Sequence, residues 1–195
     1  MKVFFLSFFL MSSVWSQTIV FIGDSLTEGY GLDTEEAYPA QLEAIYKAQG
    51  KSIKVINGGV SGSTTASATQ RVKWYLRTKP DIIVLALGAN DGLRGTPVSE
   101  SRKNLALALQ AVKAAKVKVL LAEMKLPKNY GEKYRQEFEK MYTQLSKEEK
   151  VPLLAFILNG VGGVASLNQP DGIHPTAAGQ KKIAENLVKA LEKHL

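Results

Sequence analysis

Five short apolar runs alternate with longer amphipathic segments along this 195-residue chain, and the alternation limits the choice of fold more than any other feature. The runs are rich in β-branched residues and read as continuous apolar stretches, which is typical of strands that are covered on both faces. The predicted strands are TIVFIG (18–23), IKVING (53–58), DIIVLALG (81–88), VKVLLAEM (117–124) and VPLLAFI (151–157).

The segments between these runs have the periodicity of helices with one buried face. Leu105, Leu109 and Val112, for example, recur at i, i+4 and i+7 within one segment. No repeat, low-complexity tract or linker divides the pattern, so we predict a single α/β domain with a parallel sheet and helices on both of its faces. The predicted helices cover residues 36–49, 67–79, 98–115, 131–149 and 176–194.

The first sixteen residues, MKVFFLSFFLMSSVWS, differ in composition from the rest of the chain. Lys2 precedes an apolar stretch from Val3 to Met11, and small residues then lead to Ser16, which is the layout of a secretory signal peptide. The stretch is shorter than the roughly 20 residues of a transmembrane helix. We expect residues 1–16 to be a signal peptide and residues 17–195 to be exported; a buried first helix or an uncleaved anchor is the alternative.

Composition excludes several function classes. The chain contains no cysteine, which excludes disulfides, thiolate metal ligands and a cysteine nucleophile. Its formal net charge is +7, but the basic residues are scattered over the predicted helices and form no stripe interleaved with aromatic residues. We therefore expect no nucleic-acid partner. Attraction to anionic lipid is the alternative to plain solvation of these helix faces, so we expect peripheral membrane contact at most.

Polar and glycine residues gather where the predicted strands end. The first strand runs into GDS (23–25), the second into NGGVSGST (57–64) and the third into GANDG (88–92). The fifth leads through a glycine-rich stretch to DGIHP (171–175). Ligands of parallel α/β sheets bind beyond the carboxyl ends of the strands, so these segments form the candidate functional site.

The spacing of Asp171 and His174 favours a catalytic base over a purely structural histidine. A turn of this length can bring the carboxylate to imidazole Nδ1, which leaves Nε2 free to take a proton from a hydroxyl. Ser25 fits that hydroxyl best, because it follows a buried strand at a helix N-terminus that favours developing negative charge. A role as helix N-cap is the alternative for Ser25. His194, the other histidine, is expected to be exposed and idle.

Acyl transfer also needs donors aimed at the oxygen that becomes negative. The backbone N–H groups of Ser25 and Gly62 and the side-chain amide of Asn90 are the candidates, Gly62 because a residue without Cβ permits close backbone approach. Ordinary turn chemistry is the alternative for Gly62 and Asn90. Asp24 is interpreted as a structural residue that hydrogen-bonds the surrounding loops. Thr27 replaces the last glycine of G-x-S-x-G, which argues against the ordinary α/β-hydrolase pattern.

Two other functions would use some of the same residues. Asp24, Asp91, Asp171 and His174 are hard ligands that a metal-dependent phosphoesterase could use, although their spacing permits this only loosely. A non-catalytic carbohydrate- or lipid-binding module is the third hypothesis, and the intact set of Ser25, Asp171 and His174 argues against it.

Four segments, taken in order, resemble the sequence blocks of the GDSL family of serine hydrolases, which are also called SGNH hydrolases. NDGLRG (90–95) and LPKNYGEKYRQEF (126–138) are similar to the bacterial branch of periplasmic multifunctional esterases, which includes thioesterase I, lysophospholipase and arylesterase. The resemblance covers nearly all of residues 17–195. The four segments are GDSLTEGYG (23–31) with Ser25, GGVSGST (58–64) with Gly62, GANDGLRG (88–95) with Asn90, and DGIHPTAAG (171–179) with Asp171 and His174.

The resemblance implies a flavodoxin-like three-layer α/β/α sandwich with strand order 2-1-3-4-5. It implies Ser25 as nucleophile, His174 as base and Asp171 as the acid that orients the base. The backbone N–H groups of Ser25 and Gly62 and the amide of Asn90 would form the oxyanion hole. The resemblance implies neither a cofactor nor a metal.

The implied function is a serine esterase, periplasmic or secreted, that hydrolyses carboxylic esters through an acyl-enzyme. Its expected substrates are aryl esters and short-to-medium acyl esters, with acyl thioesters and lysophospholipids as further candidates, and we expect a monomer. A carbohydrate O-acetyl esterase of the same fold is the alternative.

Two departures from the family pattern carry predictions. Ser63 stands where this branch commonly has Asp, which predicts altered pocket polarity. Segment 158–170 is glycine-rich and light on large apolar side chains, which predicts a preference for shorter acyl or aryl esters.

Overall fold

A single sheet of parallel strands forms the middle layer of the protein. The computed structural model describes residues 16–195, so residues 1–15 of the predicted signal peptide lie outside the described residues. The sheet has five strands in the order β2-β1-β3-β4-β5, which confirms the predicted order 2-1-3-4-5. The strands are β1 (Gln17–Gly23), β2 (Ile53–Gly59), β3 (Ile82–Ala86), β4 (Lys118–Ala122) and β5 (Leu153–Leu154).

Helices connect the strands and cover both faces of the sheet. In the described part of the chain they are α1 (Ser25–Glu28), α2 (Tyr38–Ala48), α3 (Ala68–Tyr75), α4 (Ala89–Leu93), α5 (Val98–Ala114), α6 (Glu132–Glu149) and α7 (Ala177–Leu191). Right-handed crossovers place α2 on one face and α3, α5 and α6 on the other. Accordingly, α2 packs against α7, whereas α3 and α6 pack against α5. None of the helices within residues 16–195 is long and apolar enough to cross a membrane.

The central strands are the most deeply buried part of the fold. Residues 19–22 of β1 and all of β3 have no exposed surface, as their continuous apolar runs predict. Phe21 meets Tyr38 of α2 edge-on on one face, and Phe138 of α6 is fully buried within the same core. Strand β2, at the edge of the sheet, is only half-buried. The ends of β1 and β3 are therefore held firmly, and both end at the candidate site.

The last predicted strand is much shorter than its apolar run. Pairing with β4 is confined to Leu153 and Leu154, although the run extends from 151 to 157. The carbonyl of Pro152 accepts a hydrogen bond of 3.0 Å from the Leu121 N–H, but proline has no N–H to donate, so the pairing extends no further on that side. Beyond the strand the chain leaves the sheet, and Ile157 is buried in the core without belonging to a strand. The apolar character of the run therefore reflects burial and not pairing.

The passage from β1 to α1 places Ser25 at the end of the sheet. Asp24 caps the short helix, since its Oδ1 accepts a hydrogen bond of 3.0 Å from the backbone N–H of Leu26. Helix α1 lies so close to the end of β2 that a Cβ on Gly59 would stand 2.1 Å from the backbone nitrogen of Glu28. Asp24 is 1% exposed as a residue, and its Oδ2 has no hydrogen-bond partner among the described residues. Burial raises the pKa of Asp24 to about 6.

Asp24 should make the stability of the protein depend on pH in the direction opposite to most carboxylates. Its folded-state pKa of about 6 lies above the ordinary value of 3.8, so the unfolded chain loses this proton first as pH rises. The contribution of Asp24 to the free energy of unfolding is therefore fully present below about pH 4 and is lost as pH rises through about 6. The pKa difference corresponds to about 3 kcal/mol.

Asp24→Asn keeps an oxygen for the Leu26 N–H but cannot ionise. In urea denaturation, the free energy of unfolding of Asp24→Asn relative to wild type should rise by up to about 3 kcal/mol between pH 4 and pH 7.5. Glu137→Gln removes an exposed carboxylate of α6 and controls for the change in net charge. A relative stability of Asp24→Asn that is constant with pH would contradict the raised pKa.

Candidate active site

Ser25, His174 and Asp171 form a continuous chain of hydrogen bonds at the carboxyl end of the sheet. His174 Nε2 lies 2.9 Å from Ser25 Oγ, and His174 Nδ1 lies 2.7 Å from Asp171 Oδ2. Ser25 begins α1 directly after β1, whereas His174 stands in the loop before α7, 149 positions later. The fold thus brings together a hydroxyl, an imidazole and a carboxylate from the two ends of the described chain.

Asp171 is held by its own turn. While Oδ2 meets the imidazole, Oδ1 accepts backbone N–H bonds of 3.0 Å from both Ile173 and His174. The hydrogen bond with the His174 side chain, followed by those two backbone bonds, lowers the pKa of Asp171 to about 2. An ionised Asp171 at neutral pH accepts a hydrogen bond from Nδ1–H and so fixes the tautomer in which Nε2 faces Ser25 as an acceptor.

The three donors predicted for an oxyanion hole border the same cavity as this chain. Ser25, Gly62, Asn90 and His174 all line it. Asn90 lies in α4, just beyond β3, and its Nδ2 donates a 3.0 Å hydrogen bond to the carbonyl of Ser63. One N–H of the Asn90 amide is thereby fixed, and the second N–H remains for a ligand.

The conformation of Gly62 gives a reason for glycine at this position, and the predicted close approach of its backbone N–H to a substrate stays a prediction. A Cβ there would find only Arg94 Nη2 within reach, at 3.7 Å, so no close approach of protein backbone demands its absence. Gly62 instead has φ = +74°, a left-handed conformation in which other residues are strained. The turn after β2 is further fixed by Arg94, whose Nη2 donates to the Gly62 carbonyl at 3.2 Å.

Asp91, and not Asp24, ties the surrounding loops together. The interpretation of Asp24 was wrong in this respect, because within residues 16–195 its side chain hydrogen-bonds only to its own helix. The buried Asp91 accepts bonds from the Thr65 backbone N–H at 2.8 Å and the Thr65 hydroxyl at 2.6 Å. Its Oδ1 also accepts from the hydroxyl of Ser101 at 3.3 Å. Asp91 thus joins the loop after β2 to α4 and α5, a role that the sequence analysis missed.

The metal-site hypothesis fails on geometry. Within residues 16–195, no three side chains of His, Asp or Glu are grouped as a metal ion would require. The carboxylate of Asp91 is already engaged by Thr65 and Ser101. The Asp24, Asp91, Asp171 and His174 set therefore does not converge.

The cavity above Ser25 has a volume of about 620 Å³ and is bordered by the loops that follow the strands. Ser63 is not part of its lining, so the predicted change in pocket polarity is not found there. Phe156 and Leu158, which follow the short β5, do contribute, as do Gly162 and Gly163. Apart from these and the candidate catalytic and oxyanion-hole residues, more than half of the lining residues are apolar or aromatic: Leu26, Tyr30, Ala89, Leu93, Met124, Leu126, Pro127 and Ile173.

Comparison with known proteins agrees with this geometry. The model of the GDSL-like Lipase/Acylhydrolase family matches residues 21–182. Esterase TesA of Pseudomonas aeruginosa is 39% identical over 178 residues, which are 91% of this chain and 89% of the relative. Arylesterase of Vibrio mimicus is 35% identical over 191 residues, 96% of each chain.

A solved structure shows the same fold. The crystal structure of the psychrotrophic esterase EstA from Pseudoalteromonas sp., inhibited by monoethylphosphonate, superposes with a TM-score of 0.88 at 33% identity. The match covers 91% of this chain and 98% of EstA. The chain therefore belongs to the GDSL-like lipase/acylhydrolase family and is a carboxylic-ester hydrolase.

Proposed function

We propose that the protein hydrolyses carboxylic esters with Ser25 as the nucleophile, through an acyl-enzyme. The observation that carries the proposal is the hydrogen-bonded chain from Asp171 through His174 to Ser25, which opens onto an apolar cavity. A serine hydroxyl is a weak nucleophile on its own, and an imidazole at 2.9 Å is close enough to take its proton as it attacks.

The first half of the reaction forms the acyl-enzyme. His174 Nε2 takes the proton of Ser25 Oγ while Oγ bonds to the ester carbonyl carbon, and the carbonyl electron pair moves to oxygen. Ionised Asp171 stabilises the imidazolium that results. The oxyanion accepts hydrogen bonds from the backbone N–H groups of Ser25 and Gly62 and from the free N–H of Asn90. When the oxyanion collapses, the bond to the leaving alcohol breaks and Nε2 returns the proton to it.

The second half hydrolyses the acyl-enzyme. Water enters the place of the alcohol, His174 Nε2 takes its proton, and the hydroxide oxygen bonds to the acyl carbon. The same donors hold the second oxyanion, after which the bond to Ser25 Oγ breaks and Oγ regains its proton from His174. The products are the carboxylic acid and the free enzyme.

The apolar part of the cavity is the proposed acyl site. Its wall is formed by side chains such as Leu93, Met124 and Phe156, whose burial against an acyl chain is favourable. We propose aryl esters and short-to-medium acyl esters as substrates, with acyl thioesters and lysophospholipids as further substrates. The arylesterase among the relatives supports the first of these classes.

We also propose that the protein works as a monomer after export, in the periplasm or outside the cell. The signal-peptide layout of residues 1–16 supports export. The proposed partner is a small ester or lipid molecule, with no nucleic acid and peripheral membrane contact at most.

Ser25→Ala should abolish hydrolysis without unfolding the protein. Loss of the nucleophile removes the covalent route, and we expect kcat to fall by on the order of 10³-fold or more. The assay is a panel of aryl ester, acyl-CoA, lysophospholipid and acetylated xylan with wild type and Ser25→Ala, with circular dichroism as the check of folding. Unchanged turnover in Ser25→Ala would refute the serine mechanism, and activity confined to the xylan would replace the proposed substrates by a carbohydrate O-acetyl esterase.

Asn90→Ala should lower kcat much more than it raises KM. Its amide would act on the oxyanion and hardly on the ground-state carbonyl, so we expect kcat to fall by about 10²- to 10³-fold. Asn129→Ala, an exposed asparagine outside the cavity lining, is the matched control. Steady-state kinetics with an aryl ester decide the point, and a pure KM effect for Asn90→Ala would show that its amide only binds substrate.

The acyl-chain preference should be short to medium. In a series of p-nitrophenyl esters, kcat/KM should be highest between butyrate and octanoate. Gly162→Leu places a side chain in the cavity wall at a position that has no left-handed φ, and should penalise octanoate more than acetate. The acetate ester serves as the internal control for that variant. An optimum at palmitate would contradict the preference predicted from segment 158–170.

A further inference from the structure

Gln169 connects the segment that carries the nucleophile with the segment that carries the base. Its Nε2 donates to the carbonyl of Tyr30 at 2.7 Å and to the carbonyl of Pro175 at 3.0 Å. Both partners are carbonyl oxygens, which can only accept hydrogen bonds. The side-chain NH₂ group of Gln169, and not its Oε1, must therefore face them, and this fixes the orientation of the amide. The Gln169 backbone N–H also donates to the carbonyl of His174 at 2.7 Å. Gln169 is therefore hydrogen-bonded to the backbone of both His174 and Pro175.

Tyr30 continues this connection to the backbone of Ser25 and to the imidazole of His174. Its backbone N–H donates to the carbonyl of Ser25 at 3.1 Å, which ties it to the nucleophile. Its ring lies over the imidazole of His174, with 4.5 Å between the ring centroids and a tilt of 34°. The ring is 51% exposed and borders the cavity, so it covers His174 without being part of the core. Tyr30 and Gln169 together are called the Gln169 clamp below.

The clamp connects the segments of Ser25 and His174 a second time, through hydrogen bonds and a ring contact that do not involve the reacting atoms. The first connection is the hydrogen bond between His174 Nε2 and the Ser25 hydroxyl. In the acyl-enzyme that hydroxyl proton is gone, so Oγ can no longer donate to Nε2. Among the described residues, Asp171 then remains the only hydrogen-bond partner of the imidazole, and its side chain is 39% exposed. The imidazole must nevertheless stay in place to activate water.

We propose that Tyr30 and Gln169 are positioning residues that hold His174 in place for hydrolysis of the acyl-enzyme. The inference rests on the proposed serine mechanism. The clamp acts in both halves of the reaction, but in the first half the hydroxyl itself also positions the imidazole. Loss of the clamp therefore slows deacylation more than acylation.

The test separates the two half-reactions in wild type, Gln169→Leu and Tyr30→Ala. Gln169→Leu removes the donors without adding charge, and Tyr30→Ala removes the exposed ring without touching the core. During turnover of a p-nitrophenyl ester, rapid quenching and mass spectrometry give the acylated fraction of Ser25, and the release of p-nitrophenol gives the acylation rate. We expect deacylation to slow about tenfold in each variant while acylation slows less than about threefold. The acylated fraction at steady state should accordingly rise.

Two further variants distinguish positioning from a general structural role. Tyr30→Phe retains the ring and should restore wild-type partitioning, since only the backbone and the ring of Tyr30 take part in the clamp. Gln144→Leu removes an exposed glutamine of α6 and is the matched control for Gln169→Leu. A merely structural role would reduce both rates alike or lower the fraction of active enzyme, and the acylated fraction would not rise.

The outcomes are distinguishable from those of the proposed function. If wild type never acylates Ser25, the serine mechanism fails and the clamp fails with it. If wild type acylates Ser25 but Gln169→Leu and Tyr30→Ala partition as wild type does, the serine mechanism stands and the clamp is refuted. An equal slowing of both half-reactions also refutes it.

Discussion

The hydrogen bond between His174 Nε2 and Ser25 Oγ joins two segments that are 149 positions apart, and the proposed chemistry of the site depends on it. A distance of 2.9 Å can be kept only if both side chains stand on a rigid base. Ser25 follows directly from β1, whose residues 19–22 are fully buried. His174 has no strand beneath it, and its loop is held by backbone bonds such as that from Thr176 N–H to Leu167 O at 3.0 Å. His174, the proposed base, is thus the partner without a strand to support it, and hydrogen bonds between loops hold it in place instead.

The two carboxylates of the site are placed in opposite environments. Asp24 is next to Ser25 in sequence, but desolvation by burial outweighs its hydrogen bonds and the attraction of His174 and Arg71, and so raises the pKa of Asp24 to about 6. Asp171 is partly exposed, yet the His174 side chain and two backbone N–H groups hold its pKa at about 2. The contribution of Asp171 to the free energy of unfolding is fully present above its ordinary pKa of 3.8 and is lost as pH falls through about 2. Position in the sequence therefore does not decide which acid supports the base; hydrogen bonding to the ionised form does.

The sheet could be predicted from sequence because its signal is local and repeated. Each buried strand is a continuous apolar run, and the strand order followed from the resemblance carried by four short segments. The extent of β5 could not be predicted, since the apolar run of 151–157 serves burial beyond the two paired residues. The hydrogen-bonded chain of Asp171, His174 and Ser25 could be predicted because the sequence has only two histidines. One of them, His174, follows an acid at a spacing that allows a hydrogen bond.

The contacts that support the site could not be predicted from the sequence. Gln169 and Tyr30 are 139 positions apart and belong to no periodic pattern, so nothing local indicates that they meet. Asp91 was noticed only as a potential metal ligand, because the bonds that define its role come from Thr65 and Ser101 in other segments. Long-range hydrogen bonds between loops cannot be recognised from the composition or the periodicity of a sequence.

Covalent labelling tests the central claim most directly, namely that His174 activates Ser25 as a nucleophile. The protein would be treated with an activated alkylphosphonate ester, digested and analysed by mass spectrometry, in wild type and in His174→Ala. We expect a single phosphonylated peptide that carries the label on Ser25, formed at least about a hundredfold more slowly in His174→Ala. Labelling of another residue, or an equal rate in His174→Ala, would contradict the account.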